Sequence, residues 1–173
     1  MKRIAACLIA GFGLTTLAYA VQPAQPVTTL AATVSRRVIA PGVAALKETF
    51  GAQAAEWAKG CQDPDALRAA YHKASDAWAQ VEFFRTGPLS EQSRAERIDY
   101  WPDPRNATSK GLKALLEAAE APSPKTISDA SVAAQGLPAI ERLLYADGEA
   151  PKAISERECA VGRAVASNLA NLA

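Results

Sequence analysis

The segment Ala134-Gln135-Gly136-Leu137-Pro138-Ala139-Ile140-Glu141-Arg142-Leu143-Leu144-Tyr145 decides how this chain is read. At the helical step of about 100° per residue, Ala133, Leu137, Ile140 and Leu144 form one apolar stripe. Glu141 stands one turn beyond Leu137, at the edge of that stripe, which predicts a partly buried carboxylate. A carboxylate that loses water needs a cation, donors or a metal to stay ionised. Two readings of Glu141 follow. It is either a structural ion held by Arg85, Arg97 or Arg105, or a ligand-binding group. Pro138 cannot donate to the carbonyl of Ala134 and crowds it. The helix is therefore expected to kink there, or to begin near Leu137 with Gly136 relieving the strain.

Working outward, the rest of the chain repeats the helical period. Leu30, Val34 and Val38 recur at four-residue spacing. Val43, Leu46, Phe50 and Trp57 resume the stripe, so a helix kinked or restarted at Pro41 runs to Lys59 and stops at Gly60. Asp63-Pro64 supplies an N-cap and a first-turn proline for a helix carrying Leu67, Tyr71, Ala74, Trp78 and Val81. Leu112, Leu115, Leu116 and Ala119 mark a third helix. Thr126 or Ser128 is expected to cap a fourth, which contains the opening segment and ends at Gly148 and Pro151. Ser155 caps the last, whose apolar face is Val161, Val165, Leu169 and Leu172. No strand signal interrupts this series. The expected fold is an all-α bundle of four to five helices with one long ordered loop, Thr86 to Pro104, in which Trp101 plugs the bundle end.

Met1 to Ala20 reads as a signal peptide: Lys2 and Arg3, an apolar run from Ile4 to Leu17, then Ala18-Tyr19-Ala20. The run is too short for a transmembrane anchor. Residues 21–26, with two prolines, read as a spacer, and residues 27–173 as one helical domain. Removing Lys2 and Arg3 from the 19 basic residues leaves 17 against 18 acidic, a balance that gives no reason to expect nucleic acid. Export places Cys61 and Cys159 in an oxidising periplasm. With Cys7 removed they are the only pair left, so one disulfide is expected. Its loop of roughly a hundred residues would make it worth on the order of 4 kcal/mol. In a strict up-and-down arrangement of five helices its two ends lie apart, so Thr86 to Pro104 is expected to act as a crossover.

Most catalytic constellations are excluded. Trp101-Pro102-Asp103 matches a tyrosine-phosphatase general-acid loop, but neither Cys61 nor Cys159 is followed six positions later by Arg. His72 is the one histidine, beside Lys73 and off the apolar seam, and reads as a solvated helix residue. No close His or Cys spacing suits zinc. A metal would have to be oxygen-bound, with Glu141, Asp99 and Asp103 as ligand candidates for iron, calcium or magnesium.

Gly136, Glu141, Leu143 and Leu144 stand at the spacing of Gly-x-His-x-x-Glu followed by Leu-Leu, the signature helix of the imelysin-like (M75 peptidase) family. Trp78, Arg85-x-Gly87-Pro88-Leu89 and Arg97-Ile98-Asp99-Tyr100-Trp101-Pro102-Asp103 resemble the segment that precedes it. The motif's His position is Pro138, which has no lone-pair nitrogen to offer a metal or a proton. The resemblance implies Gly136, Pro138, Arg97 and Trp101 as site-shaping residues. It further implies that the chain corresponds to the first of two similar helical halves, in proteins roughly twice this length. Three functions follow from it. The favoured one is an exported, non-catalytic component that binds a metal, haem or a partner and is linked to iron uptake. The others are an M75-type metallopeptidase and a truncated half with no ligand of its own. Iron or another oxygen-bound cation is the implied cofactor. A second imelysin-like half or an envelope iron-uptake component is the implied partner.

Overall fold

The computed structural model describes residues 27–145 and 151–173. The signal peptide, the spacer and the stop at Gly148 fall outside the described residues. The chain forms helices α1 (Val27–Val34), α2 (Ala40–Ala58), α3 (Pro64–Ala79), α4 (Arg94–Ile98), α5 (Ala107–Glu117), α6 (Pro124–Asp129), α7 (Gly136–Leu144) and α8 (Glu156–Leu172). It is all-α, as the periodicity predicts.

Local signals explain most boundaries. The π turn Ser35–Ile39 joins α1 to α2 with helical backbone on both sides, and its wider winding admits Pro41 without ending the helix. Asp63 caps α3 by accepting from the Ala66 N–H at 3.0 Å. Ser155 and Glu158 form a reciprocal capping box at α8. Burial alone would raise the Glu158 carboxyl, but Lys152 at 2.6 Å and the Ser155 N–H and hydroxyl hold it below the usual carboxylate range.

Two apolar clusters reveal the topology. One contains Trp57, Leu67, Ile140, Leu144, Val161 and Val165. The other contains Leu46, Phe50, Trp78, Ile98, Leu137 and Leu169. Helix α2 thus runs from the second cluster to the first, α3 returns, α7 rises again and α8 returns, giving an up-down-up-down bundle. Gly162 of α8 faces the Trp57 ring of α2 at a distance that leaves no room for a Cβ, so these two helices pack unusually closely.

The disulfide joins Cys61, just after α2, to Cys159 in the first turn of α8, with the two Cα atoms 5.9 Å apart. The expected reason for this proximity needs correction. The fourth helix of the sequence reading is two helices, α6 and α7, which run in opposite directions. Arg157 at the disulfide end takes the carbonyls of Leu115, Leu116, Ala118 and Glu120, which places the α5–α6 turn there. Helix α6 then leads away to Ser128, which meets Arg97. That added reversal brings the start of α8 to the end of α2, without a crossover by Thr86 to Pro104. Ser123, not Thr126 or Ser128, caps α6, through a 3.1 Å bond from the Thr126 N–H.

Thr86 to Pro104 is more structured than a loop. It holds 3-10 turns over Gly87–Ser93, interrupted at Glu91 and Gln92, followed by α4. Ala95 and Ile98 of α4 fill the end of the bundle. Trp101 does not plug it. Its surface is 77% exposed, whereas Ile98 and Trp78 are buried at that end.

Candidate functional site

Helix α7 starts at Gly136, so Pro138 lies in the first turn, where a backbone N–H has no intrahelical acceptor to lose. The second of the two expectations thus holds: the helix begins beside Leu137 at Gly136, and Pro138 neither breaks nor kinks it. Gly136 adopts φ +71°, and a Cβ there would collide with the carbonyls of Arg97 and Ile98. Gln135, wholly buried, ties this junction together. Its Oε1 accepts from Arg97 Nε at 3.2 Å and from Asn168 Nδ2 at 3.1 Å, and its Nε2 donates to the Ala130 carbonyl at 3.0 Å. Arg97 also donates to Ser128 Oγ at 2.6 Å. Arg97 and Gly136 thus meet at the base of α7, at the point where α4 crosses it.

The opposite side of α7 faces solvent. Ala139 and Leu143 are buried along with Leu137, Ile140 and Leu144. The extra pair rotates the core-facing side away from Glu141. The carboxylate is therefore exposed rather than partly buried, with half of its side chain in solvent. Its charge partner is the neighbouring Arg142 at 3.9 Å, not Arg85, Arg97 or Arg105. Arg142 itself donates to Ser109 Oγ at 2.9 Å and to the Pro138 carbonyl.

One turn beyond Glu141, Tyr145 OH lies 2.8 Å from His72 Nε2 of α3. Tyr71 packs beside both, its ring centroid 5.4 Å from His72 and 6.2 Å from Tyr145. Burial pushes the Tyr71 phenol up to about 12, and the charges of Glu141, Tyr145 and Asp99 push it the same way. A face formed by α3 and α7 therefore carries Tyr71, His72, Glu141 and Tyr145. His72 is solvated, as its sequence setting predicts, but it is also hydrogen-bonded. Nothing in the sequence links it to a tyrosine 73 positions away; only the placement of Tyr145 four residues after Glu141 could have singled out that side of the helix.

The three acidic ligand candidates do not come together. Asp99 Oδ2 accepts from the Trp78 indole at 3.1 Å. Asp103 accepts from the N–H groups of Ala107 at 2.7 Å and Thr108 at 2.9 Å, which fixes the start of α5. These bonds, led by Thr108, hold its carboxyl below the usual range. Among the described residues, no three His, Cys, Asp or Glu side chains are grouped to hold a metal ion. An oxygen-bound cation thus finds one carboxylate on this face, Glu141, shared with Arg142 and set beside two phenols and an imidazole. That set falls short of a full coordination sphere for a hard cation.

The family model for imelysin, peptidase M75, matches residues 18–173. The chain belongs to the imelysin family. No curated protein matches it. The crystal structure of an imelysin-like protein from Psychrobacter arcticum 273-4 shares its fold, with a TM-score of 0.74 at 24% identity. The match covers 83% of this chain and 46% of that one, so this imelysin-family chain spans less than half the length of its structural relative. No helix among the described residues is long and apolar enough to cross a membrane.

Proposed function

We propose that this imelysin-family protein is an exported envelope component that binds a ligand through the α3–α7 face and does not hydrolyse peptides. One observation carries the reading: Glu141 is exposed, paired among the described residues only with its neighbour Arg142, and set beside the hydrogen-bonded Tyr145 and His72. An exposed ion pair at 3.9 Å adds little to stability, so folding gives Glu141 no strong reason to be acidic. Pro138 stands one turn before Glu141, where the family's motif places its histidine. A hydrolytic metal site would most need that histidine, whereas a binding face made of a carboxylate, phenols and one imidazole does not. The disulfide agrees with a protein that works outside the cytoplasm. The link to iron uptake that imelysin-family membership implies makes iron or haem the first ligand to try, with the remaining donors coming from the ligand itself or from a second helical half.

The test is thermal unfolding of wild type and Glu141→Gln, each alone and with ferric iron, ferrous iron, zinc, calcium or haem, with peptide hydrolysis assayed in parallel. A small upward shift with an iron species in wild type, lost in Glu141→Gln, and no hydrolysis are expected. Metal-dependent hydrolysis that disappears in Glu141→Gln would overturn the reading in favour of a metallopeptidase.

A further inference from the structure

Helix α1 and the π turn after it form an arm with an apolar stripe that none of the described residues covers. Val27, Leu30, Val34 and Val38 recur at helical spacing, and no residue of α1 is buried. Val27 is 81% and Leu30 60% exposed. A solvated helix has no use for such a stripe, and exposed apolar surface of this kind marks an interaction site. The arm is also basic. No acidic residue occurs from Val27 to Lys47, and the exposed Arg36 and Arg37 form no ion pair among the described residues.

The complementary surface lies on the same chain. Beyond the end of α3, Phe83 is 64% exposed. Asp76 and Glu82 nearby are exposed and unpaired among the described residues. Within one molecule the arm does not cover this patch, since Phe83 and the stripe residues Val27, Leu30, Val34 and Val38 are exposed together. Gly42 touches Val81, so the end of α3 lies level with the start of α2, and the helical backbone through Val34, Ile39 and Ala40 carries the arm onward past it. We propose that two copies of this chain associate through reciprocal exchange of this arm. Its apolar stripe would seat against Phe83 of the second copy, with Arg36 and Arg37 facing Asp76 and Glu82. Such a contact is self-complementary about a twofold axis and closes at two copies. It would also bring together about as much helical chain as the structural relative carries, since one copy matches 46% of that protein.

Sedimentation velocity of the purified chain at micromolar concentrations tests this. The wild type should sediment as a dimer. Leu30→Glu/Val34→Glu should be monomeric, its dissociation constant raised at least about 100-fold, with helical content unchanged because both residues are exposed in the single copy. Arg36→Glu/Arg37→Glu should weaken the dimer, and adding Asp76→Lys/Glu82→Lys to it should restore association. A wild type that stays monomeric, a dimer indifferent to Leu30→Glu/Val34→Glu, or a charge exchange that restores nothing would each overturn the proposal.

Discussion

The two sides of α7 are held by opposite means. At its base, Gln135, Gly136, Arg97 and Asn168 form a buried polar junction in which the Gln135 amide is bonded on both atoms. On its outer side, Glu141 pairs with Arg142, and Tyr145 meets His72 and Tyr71, close to solvent. A buried polar group left unpaired costs far more than an exposed one, because water replaces the lost partner only at the surface. The comparison separates residues that place the helix from residues the helix presents. Gly136 belongs to the first group and Glu141 to the second.

The largest expected effect is at the base. Gly136→Ala adds a Cβ at φ +71°, directed into the backbone carbonyls of Arg97 and Ile98, which no side-chain rotation can relieve. It should cost about 3 kcal/mol or more in urea unfolding. A loss below about 1 kcal/mol would mean that α4 can move away from α7, and that the junction does not fix the helix. Gln135→Ala should follow at about 2–4 kcal/mol, since it strands Asn168 Nδ2 and the Ala130 carbonyl inside the protein. Asn168→Ala in the same background should then cost much less than it does alone, a coupling readable in a double-mutant cycle.

How much of this is legible in the residues depends on range. The apolar stripe of Leu137, Ile140 and Leu144 reads directly from helical spacing, as do the Asp63 and Ser155 caps, because each signal lies within one or two turns. Ser123-Pro124 and Asp103 carry the same kind of capping signal as Asp63-Pro64. Pro122 masked the first, and the acidic character of Asp103 suggested a ligand where the structure has a cap. The reversal between α6 and α7 has no local signal. It rests on Arg97, Gln135, Ser128 and Asn168, which lie 31 to 38 positions apart in their longer bonds. The exposure of Glu141 likewise follows from Ala139 and Leu143 being buried, and an alanine on a helix gives no indication of which side it faces.

Smaller effects belong to the outer side. Tyr71 is an acid whose folded value, about 12, lies above the ordinary 10.0. Its contribution to stability is complete below the unfolded value and is lost as pH rises from there through the folded one. Ultraviolet titration should show one tyrosine ionising late, near 12, and stability falling over that window. The absence of any late-ionising tyrosine would place Tyr71 in water. Tyr145→Phe removes a single exposed hydrogen bond to His72 and should cost less than about 1 kcal/mol.

Glu141→Gln should cost the least, because its one ion pair is exposed and long. The unfolding midpoint of this variant, compared with wild type at one pH with and without ferric iron, is the most direct test that the outer side of α7 exists to be presented. Equal midpoints are expected without iron, and a shift with iron in the wild type alone. A midpoint that falls by several degrees without any ligand would contradict this, showing that Glu141 holds the fold and leaving the α3–α7 face without a role in binding.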